Sequence, residues 1–197
     1  DGSENTIAVQ VTNKQPSSRW YSGSGIYRDV TLSYRDKVQV AENGNHITTP
    51  KLAEQKDGNV ETQIQSKIKN TAKTLAKVFV EQQIFTKEGK AVSELVRSVT
   101  KNLAGNETAD FKQTILVNKP TLWTTKSYNP QLYVLKTKVY NEGQLVDVTE
   151  DTFGYRYFNW TAKDGFSLNG ERMKFHGVSI HHDNGALGAE ENYKATY

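Results

Sequence analysis

The sequence predicts a mainly β protein whose centre is an immunoglobulin-like β-sandwich. Roughly seven strand-like segments follow one another over about 115 residues, with turn signals every 8–12 residues, a spacing typical of such sandwiches. The chain contains ten Tyr, seven Phe and three Trp but no Cys. Aromatic residues favour strands, and the lack of Cys excludes the disulfide that joins the sheets of antibody domains. The sequence therefore favours the sandwich architecture without the antibody family.

Alternating apolar and polar residues predict the central strands, because alternation indicates one buried and one exposed sheet face. Turn signals at residues 57–58, 87–90 and 141–144 separate them. Further strands are expected at 91–100, 111–117 and 145–149. The residues predicted to face the core are Val60, Thr62, Ile64, Ser66 and Ile68, then Ala76, Val78, Val80, Gln82 and Ile84, and finally Tyr133, Leu135, Thr137 and Val139.

Residues 1–34 precede the sandwich and form a block that is too small to fold alone. Alternation predicts strands at 6–11 and 26–34. The polar loop between them contains Arg19 and Trp20. Because strand-like sequence begins almost at once and without an initiating Met, we expect this block to be the end of a domain that starts upstream.

Residues 153–197 follow the sandwich with a different pattern. An aromatic stretch at 153–160 leads to a hairpin turn at 168–172 and a short apolar strand at 173–180. A helix-like start follows at 189–195. A strand followed by a helix predicts the first step of a (β/α)8 barrel.

Charge and composition exclude several classes of protein. The 25 basic and 22 acidic residues are interspersed and leave a net charge of +3, so no nucleic-acid partner is expected. No apolar run approaches the ~18 residues of a membrane span. The absence of Cys excludes a thiolate metal site, and no cofactor is evident.

The strongest candidate site is His181-His182-Asp183, which follows the last predicted strand. Neighbouring residues of a strand point to opposite faces, so the two His are not expected to share one metal ion. Two interpretations stay open. Either one His is buried and hydrogen-bonded while the other faces solvent, or these residues line an active site at the C-terminal end of a barrel strand.

Other polar and aromatic residues are weaker candidates. Arg19 and Trp20 either anchor their loop or form a sugar platform, in which Trp stacks on the ring and Arg donates to hydroxyls. Trp123 and Tyr133 each follow Pro-x-Leu and are interpreted as packing residues. Arg156 is interpreted as an ion-pair residue. No pair of carboxylates stands out as an acid and a nucleophile.

Motifs along the whole chain together resemble glycoside hydrolase family 2. Ser-Gly-Ser-Gly-Ile-Tyr-Arg-Asp-Val at 22–30 resembles the closing strand of that family's sugar-binding jelly-roll domain. Pro-x-Leu-Trp at 120–123 and Pro-x-Leu-Tyr at 130–133 resemble its sandwich domain. The units that resemble the start of its barrel are Phe-Gly-Tyr-Arg at 153–156, Leu-Asn-Gly-Glu at 168–171 and His-Gly-Val-Ser-Ile-His-His-Asp at 176–183.

The resemblance implies three domains and an activity. Residues 1–34 would end a jelly-roll sugar-binding domain, 35–152 would form the immunoglobulin-like sandwich, and 153–197 would begin the TIM-barrel catalytic domain. His-His-Asp-Asn-Gly-Ala-Leu-Gly at 181–188 is most similar to bacterial β-galactosidases, whereas β-glucuronidases of the family more often carry His-Glu-Asp. The implied reaction is retaining hydrolysis of terminal β-D-galactosyl residues by two Glu. Both would follow Tyr197, so the chain is expected to hold no catalytic residue and to be inactive alone.

The resemblance also implies substrate contacts and partners. His181 matches the family's His that hydrogen-bonds the galactosyl ring, and Asp183, on the same strand face, would contact a hydroxyl. Arg19 falls in a loop directed to the barrel mouth, where some members carry Asp, and Trp20 would wall the same pocket. The expected partners are a β-galactoside and the remaining domains of the same polypeptide. The expected source is bacterial, with a secreted or cell-surface location favoured over the cytoplasm.

Two alternatives stay open at this point. One is a different activity of the same family, such as β-glucuronidase or β-mannosidase. The other is a non-catalytic sandwich module for carbohydrate binding or adhesion.

Overall fold

The computed structural model describes residues 4–14, 25, 30–126 and 130–179. Tertiary contacts place Tyr34–Phe175 in one unit and the chain on either side of it in another. The described residues of that second unit form no helix or strand. No helix in the described part of the chain is long and apolar enough to span a membrane. The domain borders expected at 34/35 and 152/153 stay predictions.

The unit Tyr34–Phe175 contains eleven strands and one short helix among its described residues. In chain order they are β1 (Val38–Thr48), α1 (Leu52–Gln55), β2 (Asn59–Asn70), β3 (Ala76–Thr86), β4 (Val96–Arg97), β5 (Lys101–Leu103), β6 (Thr108–Asn118), β7 (Tyr133–Asn141), β8 (Gln144–Phe153), β9 (Phe158–Thr161), β10 (Gly165–Leu168) and β11 (Glu171–Arg172).

Two antiparallel sheets form the predicted sandwich. One sheet has the strand order β1-β2-β6, and the other has the order β4-β3-β7-β8 with β5 also paired to β3. Strand β1 lies against β8, and β6 lies against β3. A small third sheet, β11-β10-β9, follows the sandwich in the chain. The mainly β fold and the sandwich are thus confirmed.

Alternation identified the core side of three strands correctly. In β2, β3 and β7 the residues predicted to point inward are all buried, and the residues between them are mostly more exposed. Tyr133 is among the buried residues, with 8% of its surface exposed, which confirms it as a packing residue. Two positive-φ residues, Glu142 and Gly143, form the tight turn expected between β7 and β8.

The core consists of two apolar clusters. The first contains Val38, Val40, Ile68, Ala76, Val78, Val80, Leu103, Phe111 and Val139. The second contains Leu52, Val60, Ile64, Ile84, Ile115, Val117, Tyr133, Leu135 and Tyr155.

A layer of polar side chains links the two sheets at intermediate positions along the strands. Gln82 Nε2 donates hydrogen bonds of 2.9 Å to Ser66 Oγ and to Thr137 Oγ1. Ser66 Oγ donates to Asn45 Oδ1 at 2.5 Å, and Asn45 Nδ2 donates to Asp151 Oδ2 at 2.6 Å. Sliding one sheet over the other would leave buried polar groups unpaired, which is costly. The layer therefore favours one alignment of the sheets.

Three predicted strands do not form in the described residues. Residues 6–11, 30–34 and 173–179 carry no strand, and Ile7 and Leu32 are 84% and 93% exposed. A strand is stabilised by a hydrogen-bonded neighbour, and none of these segments is part of a described ladder. Alternation alone therefore predicted more strands at the two ends than the described residues contain. The described strands form neither a jelly roll nor a (β/α)8 barrel.

Candidate functional site

The predicted substrate-contact residues lie outside the described residues. These are His181, Asp183, Arg19 and Trp20, together with His182. Their roles stay predictions. What the structure does describe is the surroundings of the other motifs that resemble the glycosidase family.

Three of those motifs meet in space, although up to about fifty residues of chain separate them. We call this region the motif junction and define it as residues 120–123, 153–157 and 168–171. The sequence suggested each motif separately, but nothing in it indicated that they touch. The only sequence feature that relates these motifs is their order along the chain, which does not show that they are in contact.

Backbone and amide hydrogen bonds hold the motif junction together. The Trp123 N–H donates to the Tyr155 carbonyl at 2.8 Å, and Asn169 Nδ2 donates to the Trp123 carbonyl at 2.8 Å. The Tyr157 N–H donates to Asn169 Oδ1 at 3.1 Å, and the Asn169 N–H donates to the Tyr157 carbonyl at 2.8 Å. Asn169 has φ of +53°, a conformation that Asn tolerates better than most residues. One side chain thus ties the β10–β11 turn to the Trp123 segment.

The Trp123 side chain lies between a glycine and an arginine. A Cβ atom on Gly154 would lie only 2.8 Å from Trp123 Cβ and 3.0 Å from its Cγ. On Arg156 the guanidinium carbon lies 4.9 Å from the centroid of the Trp123 ring, which is a cation–π contact. The contact described for Arg156 is therefore with an aromatic ring, and its expected role as an ion-pair residue stays a prediction.

The close approach of Gly154 to Trp123 predicts that Gly154→Ala destabilises the protein. Placing the added methyl group requires Trp123 or the backbone to shift, and we expect the free energy of unfolding to fall by about 1–3 kcal/mol. Urea unfolding measures this. Gly58→Ala is the matched control, since the nearest atom to its Cβ is 3.8 Å away, and it should have no effect or stabilise by up to about 1 kcal/mol. Equal stabilities of the two variants would contradict the close contact.

Tyr155 anchors the motif junction in the core of the sandwich. It is fully buried, and its hydroxyl lies 2.8 Å from the hydroxyl of Thr62. Its ring meets the rings of Tyr133 and Phe153 edge-on, with centroid distances of 5.0 and 5.2 Å. Burial raises the pKa of the Tyr155 hydroxyl well above its ordinary value, because ionisation would place a charge among apolar side chains.

The raised pKa of Tyr155 predicts a loss of stability in alkali. Above pH 10 the unfolded chain releases this proton and the folded chain keeps it, so the free energy of unfolding decreases with rising pH. Between pH 9 and 11 the free energy of unfolding of the wild type should therefore fall by about 1.4 kcal/mol more than that of Tyr155→Phe, which has no hydroxyl to ionise at this position. Urea unfolding at each pH tests this. If the free energies of unfolding of the two proteins changed with pH in parallel, the Tyr155 hydroxyl would ionise equally in the folded and the unfolded chain, which would contradict the prediction.

An open cavity of about 570 Å³ adjoins the motif junction. Its charged lining residues are Lys56, Asp57, Lys119, Lys126 and Glu171. Lys56 pairs with Asp57 at 2.6 Å, a hydrogen bond that raises the pKa of Lys56, and Lys126 pairs with Glu171. Two of the three lysines are therefore balanced by carboxylates, and the cavity has little net charge to attract an ionic ligand.

Metal chemistry has no candidate among the described residues. In 4–14, 25, 30–126 and 130–179, no three His, Asp or Glu side chains are grouped so as to hold an ion. What the described residues do form is a core-anchored junction between the sandwich and the small sheet.

The sequence pattern of glycosyl hydrolases family 2 matches residues 44–156. This range covers the sandwich except for the first half of β1, together with part of the motif junction, and it exceeds half of the chain. The protein therefore belongs to glycosyl hydrolases family 2.

Individual relatives refine the comparison. The chain is 38% identical to the β-galactosidase BoGH2A of Bacteroides ovatus over 97% of its length and 22% of the relative. It is 24% identical to a β-glucuronidase of Bacteroides fragilis over 95% of its length and 27% of the relative. A solved family 2 structure from Bacteroides cellulosilyticus superimposes with a TM-score of 0.77 and 33% identity, covering 90% of this chain and 23% of that one. The chain thus spans about a quarter or less of these relatives.

Proposed function

We propose that this chain is part of a retaining β-galactosidase that hydrolyses terminal β-D-galactosyl residues. The observation that carries the proposal is the 38% identity to a β-galactosidase over almost the whole chain. The His-His-Asp form at 181–183 supports it, because that form resembles bacterial β-galactosidases. The chain supplies scaffold and substrate contacts, and the remaining polypeptide supplies the two catalytic Glu.

In this proposal four residues contact the substrate. His181 and Asp183 hydrogen-bond galactosyl hydroxyls, while Arg19 and Trp20 form one wall of the same pocket. Such contacts accelerate the reaction only if they strengthen in the transition state. The motif junction supports them indirectly, because positioning of reacting groups depends on rigid neighbouring elements.

The proposal predicts that activity requires more than this chain. The 197-residue chain should not hydrolyse 4-nitrophenyl β-D-galactopyranoside, whereas the complete polypeptide should do so with retention at the anomeric carbon. Release of nitrophenol measures hydrolysis, and proton NMR of the first-formed sugar gives the configuration at the anomeric carbon. Turnover by the chain alone, or an inverted product, would contradict the assignment.

A β-glucuronidase is the second candidate, because several relatives of this chain carry that name. Its substrate bears a carboxylate that a galactoside lacks, so the two activities differ in the charge that the pocket must bind. The substrate preference of the complete polypeptide separates them.

The surface of the sandwich gives less support to the remaining alternative, a non-catalytic module for carbohydrate binding or adhesion. On the outer face of the five-stranded sheet, Phe79 stacks on Tyr140 with centroids 4.7 Å apart, and the guanidinium carbon of Arg97 lies 3.6 Å from the Phe79 centroid on this face. Phe79 is only 7% exposed, so it offers no open ring face to a sugar. Isothermal titration of galactose and lactose into the unit Tyr34–Phe175, which keeps Tyr155 in its core, should therefore show no binding, and appreciable heat would favour the module.

A further inference from the structure

Two buried glutamines, one of them in the polar layer between the sheets, have amide atoms without a protein partner. Gln82 is fully buried and Gln113 is 8% exposed. In the described part of the chain, Gln82 Oε1 and both amide atoms of the Gln113 side chain make no hydrogen bond to protein. Leaving buried polar groups unpaired is costly, and native structures pair nearly all of them with protein or ordered water. These three atoms therefore need a partner from outside the protein.

The neighbours of Gln82 fix which end of its amide is the oxygen. Ser66 Oγ donates its only proton to Asn45 Oδ1 at 2.5 Å, so the Gln82 atom that lies 2.9 Å from Ser66 Oγ must be a donor. The second N–H of this amide goes to Thr137 Oγ1. Turning the amide around would set Gln82 Oε1 against the Ser66 oxygen. Gln82 Oε1 is therefore an acceptor that no protein group satisfies.

The strand register brings the amide of Gln113 towards that of Gln82. Phe111 of β6 pairs with Ser66 of β2, and Phe111 and Gln113 are both buried on the inner side of β6. Gln113 is therefore the diagonal neighbour of Ser66, a separation that long side chains can bridge. Gln82 of β3 bonds Ser66 from the opposite sheet, and β6 lies against β3. Both amides thus enter the space between the sheets next to Ser66.

A cleft between the edges of the two sheets leads to this place. It has a volume of about 580 Å³, and its lining includes Val96 of β4 and Gln113 of β6. Val96 pairs with Gln82 in the antiparallel register. The cleft therefore reaches the strand neighbour of Gln82 as well as Gln113 itself, and it gives a small ligand a short route to both amides.

From this set of donors and acceptors we propose that Gln82 and Gln113 form a binding site for one shared, buried water molecule. Water donates two hydrogen bonds, to Gln82 Oε1 and Gln113 Oε1, and accepts one from Gln113 Nε2, so one molecule satisfies all three atoms. Buried waters typically make about three hydrogen bonds. A cation would suit the two oxygens but not the N–H groups, and an anion would have the reverse mismatch. The water extends the polar layer to the edge strand β6, whichever sugar the parent enzyme hydrolyses.

Nuclear magnetic resonance of the isotope-labelled, 197-residue chain tests the site directly. The Gln113 side-chain N–H, identified by the loss of its signal in Gln113→Met, should show a cross-peak to water. Its nuclear Overhauser effect should have the sign of a water that stays bound longer than the protein takes to tumble. The exposed Gln63 amide is the matched control and should show only the weak effect of opposite sign from passing surface water. A cross-peak from Gln113 to the Gln82 amide with none to water would indicate a direct bond between the amides and would overturn the inference.

Relaxation dispersion of water deuterons counts the long-lived waters and tests that this one is shared. The count should fall by one in Gln113→Met and in Gln82→Met, and the double variant should lose the same single water. A fall of two in the double variant, or an unchanged count in Gln113→Met, would overturn the inference, whereas Gln63→Met should keep the count. Because Gln82 also bonds Ser66 and Thr137, Gln82→Met can impair folding, and the results for the unaltered chain and Gln113→Met then decide alone.

Discussion

Tyr155→Ala is expected to lower the free energy of unfolding by about 4 kcal/mol. Tyr155 is the largest fully buried side chain among the described residues, and truncating a buried aromatic residue typically costs 3–5 kcal/mol through lost burial and the cavity that remains. The loss should exceed that of Gly154→Ala, because the Tyr155 side chain packs in the second core cluster and its ring contacts the rings of Tyr133 and Phe153. Urea unfolding of the 197-residue chain measures it.

Two variants separate the contributions to this loss. Tyr155→Phe keeps the ring and removes only the hydrogen bond with Thr62, so about 1 kcal/mol should be lost. Tyr34→Ala truncates a fully exposed tyrosine and should change stability by less than about 0.5 kcal/mol. A loss below about 1 kcal/mol for Tyr155→Ala would show that Tyr155 does not anchor the junction.

His181→Ala in the complete polypeptide is expected to lower kcat/KM for a β-galactoside by about 100-fold. Removing a hydrogen bond and leaving its buried partner unsatisfied costs about 1–3 kcal/mol, and each 1.4 kcal/mol is a factor of ten in rate. If the contact strengthens in the transition state, kcat should fall along with kcat/KM. Steady-state kinetics with 4-nitrophenyl β-D-galactopyranoside give both constants.

The matched control for this variant is His182→Ala. On the barrel strand that the family resemblance implies, neighbouring residues face opposite sides. We therefore expect His182 to point away from the proposed pocket and its loss to leave kcat/KM within a few-fold of the wild type. Similar losses in both variants would indicate a general effect on folding. An unchanged rate for His181→Ala would remove His181 from the site.

Local alternation predicted the core faces of β2, β3 and β7 because side-chain direction in a strand depends on position alone. Strand β1 was not predicted, since its register shifts between Val40 and Asn45 and the irregularity breaks the alternation. A Cβ on Gly44 would lie 2.7 Å from the Ala41 carbonyl oxygen, which indicates how tightly the backbone folds there. The turns predicted at Gly143 and Gly170 are present, and both glycines have positive φ.

Long-range arrangement could not be predicted from the sequence. The polar layer joins Asn45 to Asp151, and the motif junction joins Trp123 to Asn169. Such pairs leave no periodic signal, because their partners come from different strands or turns. The family resemblance located the residues of the junction but not their contacts. The side chains of the small sheet were visible only as an aromatic stretch, since the register of β9 and β10 is what places them together.

The proposal that this chain is part of a β-galactosidase is tested most directly by the substrate preference of the complete polypeptide. The measurement is kcat/KM of the complete polypeptide for 4-nitrophenyl β-D-galactopyranoside and for the corresponding β-D-glucuronide under the same conditions. We expect the galactoside to be favoured by at least about 100-fold, because in the proposed pocket polar groups placed for galactosyl hydroxyls would be left unpaired by a glucuronide, and the Asp183 carboxylate would repel the carboxylate of that substrate. Equal values, or a preference for the glucuronide, would contradict the proposed activity.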